Sequence, residues 1–168
     1  MKAWIIAVLA VLAAGAAGFM FYLYNSVAEP LTERQQAAVT LAFEETDLSE
    51  VRDVNYYHGR RAYQVVDGID TSDNEVYIWV EELSEEALEA EQEQRVITRL
   101  KEEGITREEA RDIAASRLDI DRIQSINLGM IGSTPVYEIT YIDQADRHSF
   151  YYMTFNDGTY IRHYQFRN

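Results

Sequence analysis

From Ala3 to Tyr24 no position carries a charge, and nearly every one is apolar. At about 1.5 Å rise per residue, a helix of this length spans the roughly 30 Å hydrocarbon core of a bilayer. Trp4 stands at one edge of the run, and Tyr22 and Tyr24 at the other, where aromatic rings meet head groups. A cleaved leader is the competing reading, with Ala14-Gly15-Ala16 as the processing site. Cleavage would leave a mature chain opening on Ala17-Gly18-Phe19-Met20-Phe21-Tyr22, with nothing to bury it. The apolar run also exceeds the roughly 7–15 residues of a leader's core. The pattern therefore predicts an uncleaved signal anchor over residues 1–24, followed by a linker at 25–29. Lys2 and the α-amino group are the only cations beside the run on its short side. The positive-inside rule then places the N-terminus in the cytoplasm and residues 25–168 outside the cell membrane.

Beyond the anchor the pattern repeats. Leu31-Thr32-Glu33-Arg34-Gln35 reads as a staple residue, an N-cap and a capping box, opening a helix to about Thr46 with Ala38, Val39, Ala42 and Phe43 on one face. Ile105-Thr106-Arg107-Glu108-Glu109 repeats the signature, with Ala110, Ile113, Ala114 and Leu118 marking the face. A shift of 74 residues carries Thr32 to Thr106, Tyr63 to Tyr137, Val65 to Ile139 and Tyr77 to Tyr151. Strands are expected near Val51–Tyr57, Ala62–Val66 and Val76–Glu81, and again near Ile123–Met130, Val136–Ile142 and His148–Phe155. The second copy adds a strand at Thr159–Phe166, joined through a two-residue Asp157-Gly158 hairpin that would set Tyr152 opposite His163 and His148 near Arg167. Ser84 and Gly104 bracket an expected connecting helix over residues 83–104. The fold class is α+β: two units, residues 30–82 and 105–168, each a helix on an antiparallel sheet.

Charge narrows the partners. Fifteen Lys and Arg stand against 29 Asp and Glu, a net charge of −14, and −15 beyond Lys2. Nucleic acid and anionic lipid or wall-polymer surfaces would repel such a chain. With no cysteine there is no disulfide, thiolate nucleophile or sulfur-held metal. His58, His148 and His163 lack ligand spacing, no G-x-S-x-G occurs, and no cofactor motif is present, so an enzyme is not expected. Asp67, Asp70, Asp73 and Glu75 crowd one hairpin loop without EF-hand spacing, which reads as an ordinary turn.

Aromatic residues say more. Gln64 and Glu138 alternate with Tyr63, Val65, Tyr137 and Ile139, which predicts one wet face and places Tyr63 and Tyr137 on the core side. Val76–Val80 and Phe150–Phe155 have no polar face, so both sides must be covered. The two domains and the connecting helix could cover each other. Alternatively a partner protein docks there, with Tyr77, Trp79, Tyr151, Tyr152 and Met153 as its contacts.

Ile105-Thr106-Arg107-Glu108-Glu109-Ala110, Pro135-Val136-Tyr137-Glu138-Ile139 and Asn156-Asp157-Gly158 together resemble a PepSY domain. With the anchor and a degenerate first copy, the whole chain resembles the TseB/YpmB family of Gram-positive bacteria. The resemblance implies cystatin-like units and a membrane-anchored extracytoplasmic regulator of cell-wall elongation that binds a class B penicillin-binding protein. It offers no catalytic residues and no cofactor. PepSY domains also occur in protease propeptides, which implies the alternative of an inhibitor or chaperone of an exported protease.

Overall fold

The computed structural model describes residues 33–90 and 92–167; the expected anchor, the linker and the Leu31–Thr32 cap lie outside them. Helix α1 (residues 33–45) is followed by strands β1 (Leu48–His58), β2 (Ala62–Asp70) and β3 (Glu75–Glu82), a short helix α2 (Glu85–Glu89) and strand β4 (Val96–Leu100). A 3-10 turn (Lys101–Glu103) leads to helix α3 (Arg107–Arg117) and strands β5 (Ile120–Ile131), β6 (Thr134–Asp143), β7 (His148–Thr154) and β8 (Tyr160–Phe166). The strands form two antiparallel four-stranded meanders, β1-β2-β3-β4 and β5-β6-β7-β8.

The repeat is closer than the sequence pattern suggests, because each copy has four strands. The helix expected over 83–104 is a correction. Ser84 does cap, its Oγ accepting from the Ala87 N–H at 3.3 Å, but the helix ends at Glu89. Val96-Ile97-Thr98-Arg99-Leu100 instead pairs with β3, from Val80↔Val96 to Val76↔Leu100. Ile78, Trp79 and Val80 are completely buried, so the backbone of β3 needs a ladder partner on that side, and three consecutive β-branched residues supply one. Gly104, expected to stop that helix, instead ends the 3-10 turn in an extended conformation, its N–H donating to Lys101 O. A Cβ there would lie 2.3 Å from the Phe155 ring, which fills the missing side chain's space.

The shift of 74 also needs correction. Buried Ala38 and Ala42 of α1 correspond to Ala110 and Ala114 of α3, a shift of 72. Both register breaks of β1, at Leu48/Glu50 and Val51/Asp53, recur 72 residues on at Ile120/Arg122 and Ile123/Ser125. Through the next hairpin the shift is 73. Asp70 Oδ1 accepts from the backbone of Ser72 and Asn74, as Asp143 Oδ1 does from Ala145 and Arg147. Asp73 and Asp146 take the same left-handed φ of 63° and 58°. Tyr137 is thus the counterpart of Gln64, one residue from Tyr63, and one residue turns a strand side chain to the opposite face. Both tyrosines are core, as expected, but Tyr63 faces away from α1 while Tyr137 lies on the α3 side.

The wet face expected for β2 is absent: Gln64 is fully buried on the α1 side, where its Nε2 donates to Glu82 Oε1 at 2.6 Å. On that side Ala38 and Ala42 pack on Val66, Val76, Ile78 and Val80. The opposite face of the first sheet, with Tyr57, Tyr63, Val65 and Trp79, joins the α3-covered core of the second sheet in one continuous cluster. Phe155 is central to it. Its ring meets Tyr77 and Trp79 of β3 edge-on, with centroids 6.0 Å apart in each case, and tilts against Tyr137. Its N–H donates to Pro135 O at 3.0 Å, and its carbonyl accepts from Ile105 N–H at 2.8 Å.

Because Phe155 is drawn into the core, residues 155–159 join β7 to β8, rather than a two-residue turn. Gly158 takes a φ of +68°, and Asp157 Oδ1 accepts from Thr159 N–H at 3.0 Å. A break between Tyr152 and Met153 then sets Tyr152 opposite Arg162, Tyr151 opposite His163 and His148 opposite Phe166, one residue from the expected pairing.

Candidate partner-binding surface

The five residues singled out as partner contacts fill the interior instead. Trp79 and Met153 are fully buried, Tyr151 and Tyr152 are buried, and Tyr77 is half-buried between Phe155 and the Lys101 ammonium, 4.8 Å from its ring. β3 packs one face against α1 and the other into the core shared with the second sheet, and β7 places Tyr151 and Met153 in that same core with α3. Any contact through Trp79 or Met153 would require this core to open, since neither side chain is exposed at all.

The seam between the sheets is polar at one end. The Tyr57 ring lies against Gly129, where a Cβ would come within 2.3 Å of Cζ. Its hydroxyl donates to Glu138 Oε2 at 3.3 Å. Burial, then the neighbouring Glu138 carboxylate, raises the Tyr57 pKa well above its ordinary value. Burial and a hydrogen bond to the same carboxylate push Tyr152 up to about 12. Both phenols therefore stay protonated at neutral pH and can share Glu138 as acceptor.

Beyond the seam the aromatic surface opens. Arg162 stacks on Tyr152, 4.5 Å from the ring centroid, and lies 5.4 Å from Tyr164. Tyr152 meets Tyr164 edge-on and Phe150 meets Phe166 likewise, with centroids 6.2 and 6.0 Å apart. Tyr160, Tyr164 and Phe166 remain 54%, 45% and 56% exposed. Arg162, Tyr164 and Phe166 pair with Tyr152, Phe150 and His148, so this is one face of the β7–β8 ribbon. The alternation Tyr160-Ile161-Arg162-His163-Tyr164-Gln165-Phe166 was available in the sequence as an edge strand's signature, but its exposure was not, since the strand before it reads the same and is buried.

Other candidate chemistry is committed internally. Asp67 is bridged by Lys101, with Nζ 2.7 Å from Oδ1, and Glu75 pairs with Arg52. Asp70 closes its own turn. The carboxylate-rich loop is a turn. His163 Nε2 lies 2.9 Å from Tyr141 Oη, and burial lowers its pKa, as does nearby Arg147, so the neutral ring is favoured. A pocket of about 420 Å³ beyond α1 has Glu45, Asp47, Asp70 and Glu103 around Val76 and Ile78. Among the described residues no three His, Asp or Glu side chains gather as metal ligands.

Two helix-on-meander units sharing a core, with an exposed aromatic face on β7–β8, define a protein of the PepSY type. The family model "Cell wall elongation regulator TseB-like domain" matches residues 37–81, and "Peptidase propeptide and YPEB domain" (PepSY) matches residues 104–164. The Bacillus subtilis (strain 168) protein named "Probable cell wall elongation regulator TseB" is 27% identical over 140 residues, covering 83% of this chain and 82% of that one. The solved "YpmB protein from Bacillus subtilis" superposes with a TM-score of 0.68 at 26% identity, covering 77% of this chain and 95% of the other. The chain belongs to the TseB/YpmB family.

Proposed function

We propose that this protein is a membrane-anchored, extracytoplasmic regulator of cell-wall elongation that acts by binding a class B penicillin-binding protein. The observation that carries the reading is likeness over about four-fifths of both chains to a relative named a probable cell wall elongation regulator, with both units present. The exposed aromatic face of β7–β8 gives a protein partner somewhere to bind. The apolar run at residues 3–24 supports the anchor, and the excess of carboxylates disfavours lipid or wall polymer as the target. Asn25–Pro30 can extend only about 20 Å, which keeps the first unit near the outer leaflet. Confinement to one plane raises effective concentration, so a weak contact suffices.

Crosslinking the native protein in cells, with identification of the adduct, tests this. A membrane transpeptidase is the expected adduct, and an exported protease would favour the inhibitor or chaperone reading instead. Replacing the anchor with a secretion signal should reduce function. A secreted form that restores full activity at native levels would overturn the mechanism.

A further inference from the structure

We propose that the outer edge of β8 is a strand-addition site for an extended, acidic segment of the partner. Four strand edges terminate the two sheets, and three are protected in recognisable ways. β1 and β5 are each interrupted by two register breaks, and β1 presents exposed Glu50 and Asp53. β4 is only five residues long. Breaks, charges and shortness are the means by which folded proteins keep edges from pairing with other chains. β8 has little of this protection: the only formal charge within it is the half-buried Arg162, whose guanidinium lies over the Tyr152 ring. Its one break falls near its start, and Arg162 to Phe166 pairs regularly with β7 over five positions. It holds no proline, glycine or carboxylate. Among the described residues nothing pairs with its outer side. An aromatic edge with no strand paired to it among the described residues carries a hazard of self-association unless something is meant to bind it.

Charge selects the occupant. In a chain of net charge −14, the segment from Tyr160 to Arg167 carries Arg162, His163 and Arg167 and no acid. A second copy would bring like charges together, and a basic segment would do the same. An extended segment with acidic side chains would meet the two guanidinium groups while its backbone continues the ladder, and alternate apolar side chains would lie on Tyr164 and Phe166. The edge-on ring pairs Tyr152–Tyr164 and Phe150–Phe166 hold that face in shape beforehand.

The proposal rests on the reading that the protein works by binding a membrane-anchored partner, and one experiment separates the two. In the full anchored chain, in cells, the photocrosslinking residue p-benzoylphenylalanine is placed singly at Tyr164, at Tyr56 on β1 and at Leu88 on α2, all exposed. Adducts are mapped to the partner residue by mass spectrometry. The Tyr164 position should give the dominant adduct, joined to an extended segment containing Asp or Glu. Arg162→Glu should reduce that adduct roughly tenfold and Arg162→Lys should preserve it, with equal thermal midpoints showing that both variants fold. Absence of the Tyr164 adduct, its attachment to a second copy or to a helical or basic segment, or equal yields from Tyr56 or Leu88 would overturn the edge site. A transpeptidase captured only through Tyr56 or Leu88 would leave the function standing without the edge. A different partner captured through Tyr164 at an acidic strand would do the reverse.

Discussion

Replacing Phe155 with alanine removes the ring that joins the two sheets. The side chain is fully buried and touches Tyr77, Trp79 and Tyr137. Truncating a buried phenylalanine costs about 3–5 kcal/mol, and each edge-on ring contact adds about 0.5–1.5 kcal/mol beyond burial, which places Phe155→Ala near the upper end. Against a total of about 5–15 kcal/mol this is a large fraction, and the thermal midpoint should fall by roughly 10–20 °C. The chain has two tryptophans, Trp4 and Trp79, so a Trp4→Phe background in detergent leaves Trp79 as the only indole. Urea unfolding is followed by its emission. Phe155→Ala should lower the unfolding free energy by about 4 kcal/mol and shift native emission to the red, as water reaches the seam. Ile78→Ala, next to Trp79 but facing α1, should cost about 2–5 kcal/mol while leaving native emission in place. Native emission unchanged in Phe155→Ala, with a loss below about 1 kcal/mol, would refute a core shared between the sheets.

Three further outcomes follow from the geometry. Gly129→Ala should cost about 1–3 kcal/mol in thermal unfolding, because its Cβ would meet the Tyr57 ring, and most of that cost should vanish in a Tyr57→Ala background. Thr106→Ala should cost about 1 kcal/mol, since it removes the capping box in which Thr106 Oγ1 accepts from Glu109 N–H at 3.1 Å. The third concerns acid. The Asn74 side chain and backbone hold Asp70 below the ordinary carboxylate range; for Asp143 burial opposes the shift, but hydrogen bonds from Arg147 and Ala145 outweigh it. With His163 also lowered, each group binds its proton more readily when unfolded, so its stabilisation is present at neutral pH and lost in acid. Unfolding midpoints should therefore drop first below about pH 6.5 and more steeply below about pH 4, and Asp143→Asn should flatten the lower limb.

The sequence by itself determined most of the elements: the caps at Ser84 and Thr106, α3, and seven of the eight strands with ends shifted by a few residues. These rest on contacts between near neighbours in the chain, which local pattern records. It also determined the order that makes the chain a duplication, and through the PepSY-like residues the family. Tertiary structure decided the rest. Val96–Leu100 fits either a helix face or a strand, and only the unpaired side of β3, completely buried from Ile78 to Val80, selects the strand. The identities Ala38/Ala110, Ala42/Ala114, Asp70/Asp143 and Asp73/Asp146 fall at two different offsets, 72 and 73, and only the bulges and the matching aspartate turns select those over 74. The candidate surface moved for the same reason. Tyr77, Trp79, Tyr151, Tyr152 and Met153 look like an exposed apolar face until the second sheet is present to receive them. Period-two alternation tells the face of a strand only when one side is wet, and here both sides of the central strands are dry. Exposure at Tyr160, Tyr164 and Phe166 depends instead on β8 being the last strand of its sheet, a fact of topology that local pattern does not carry.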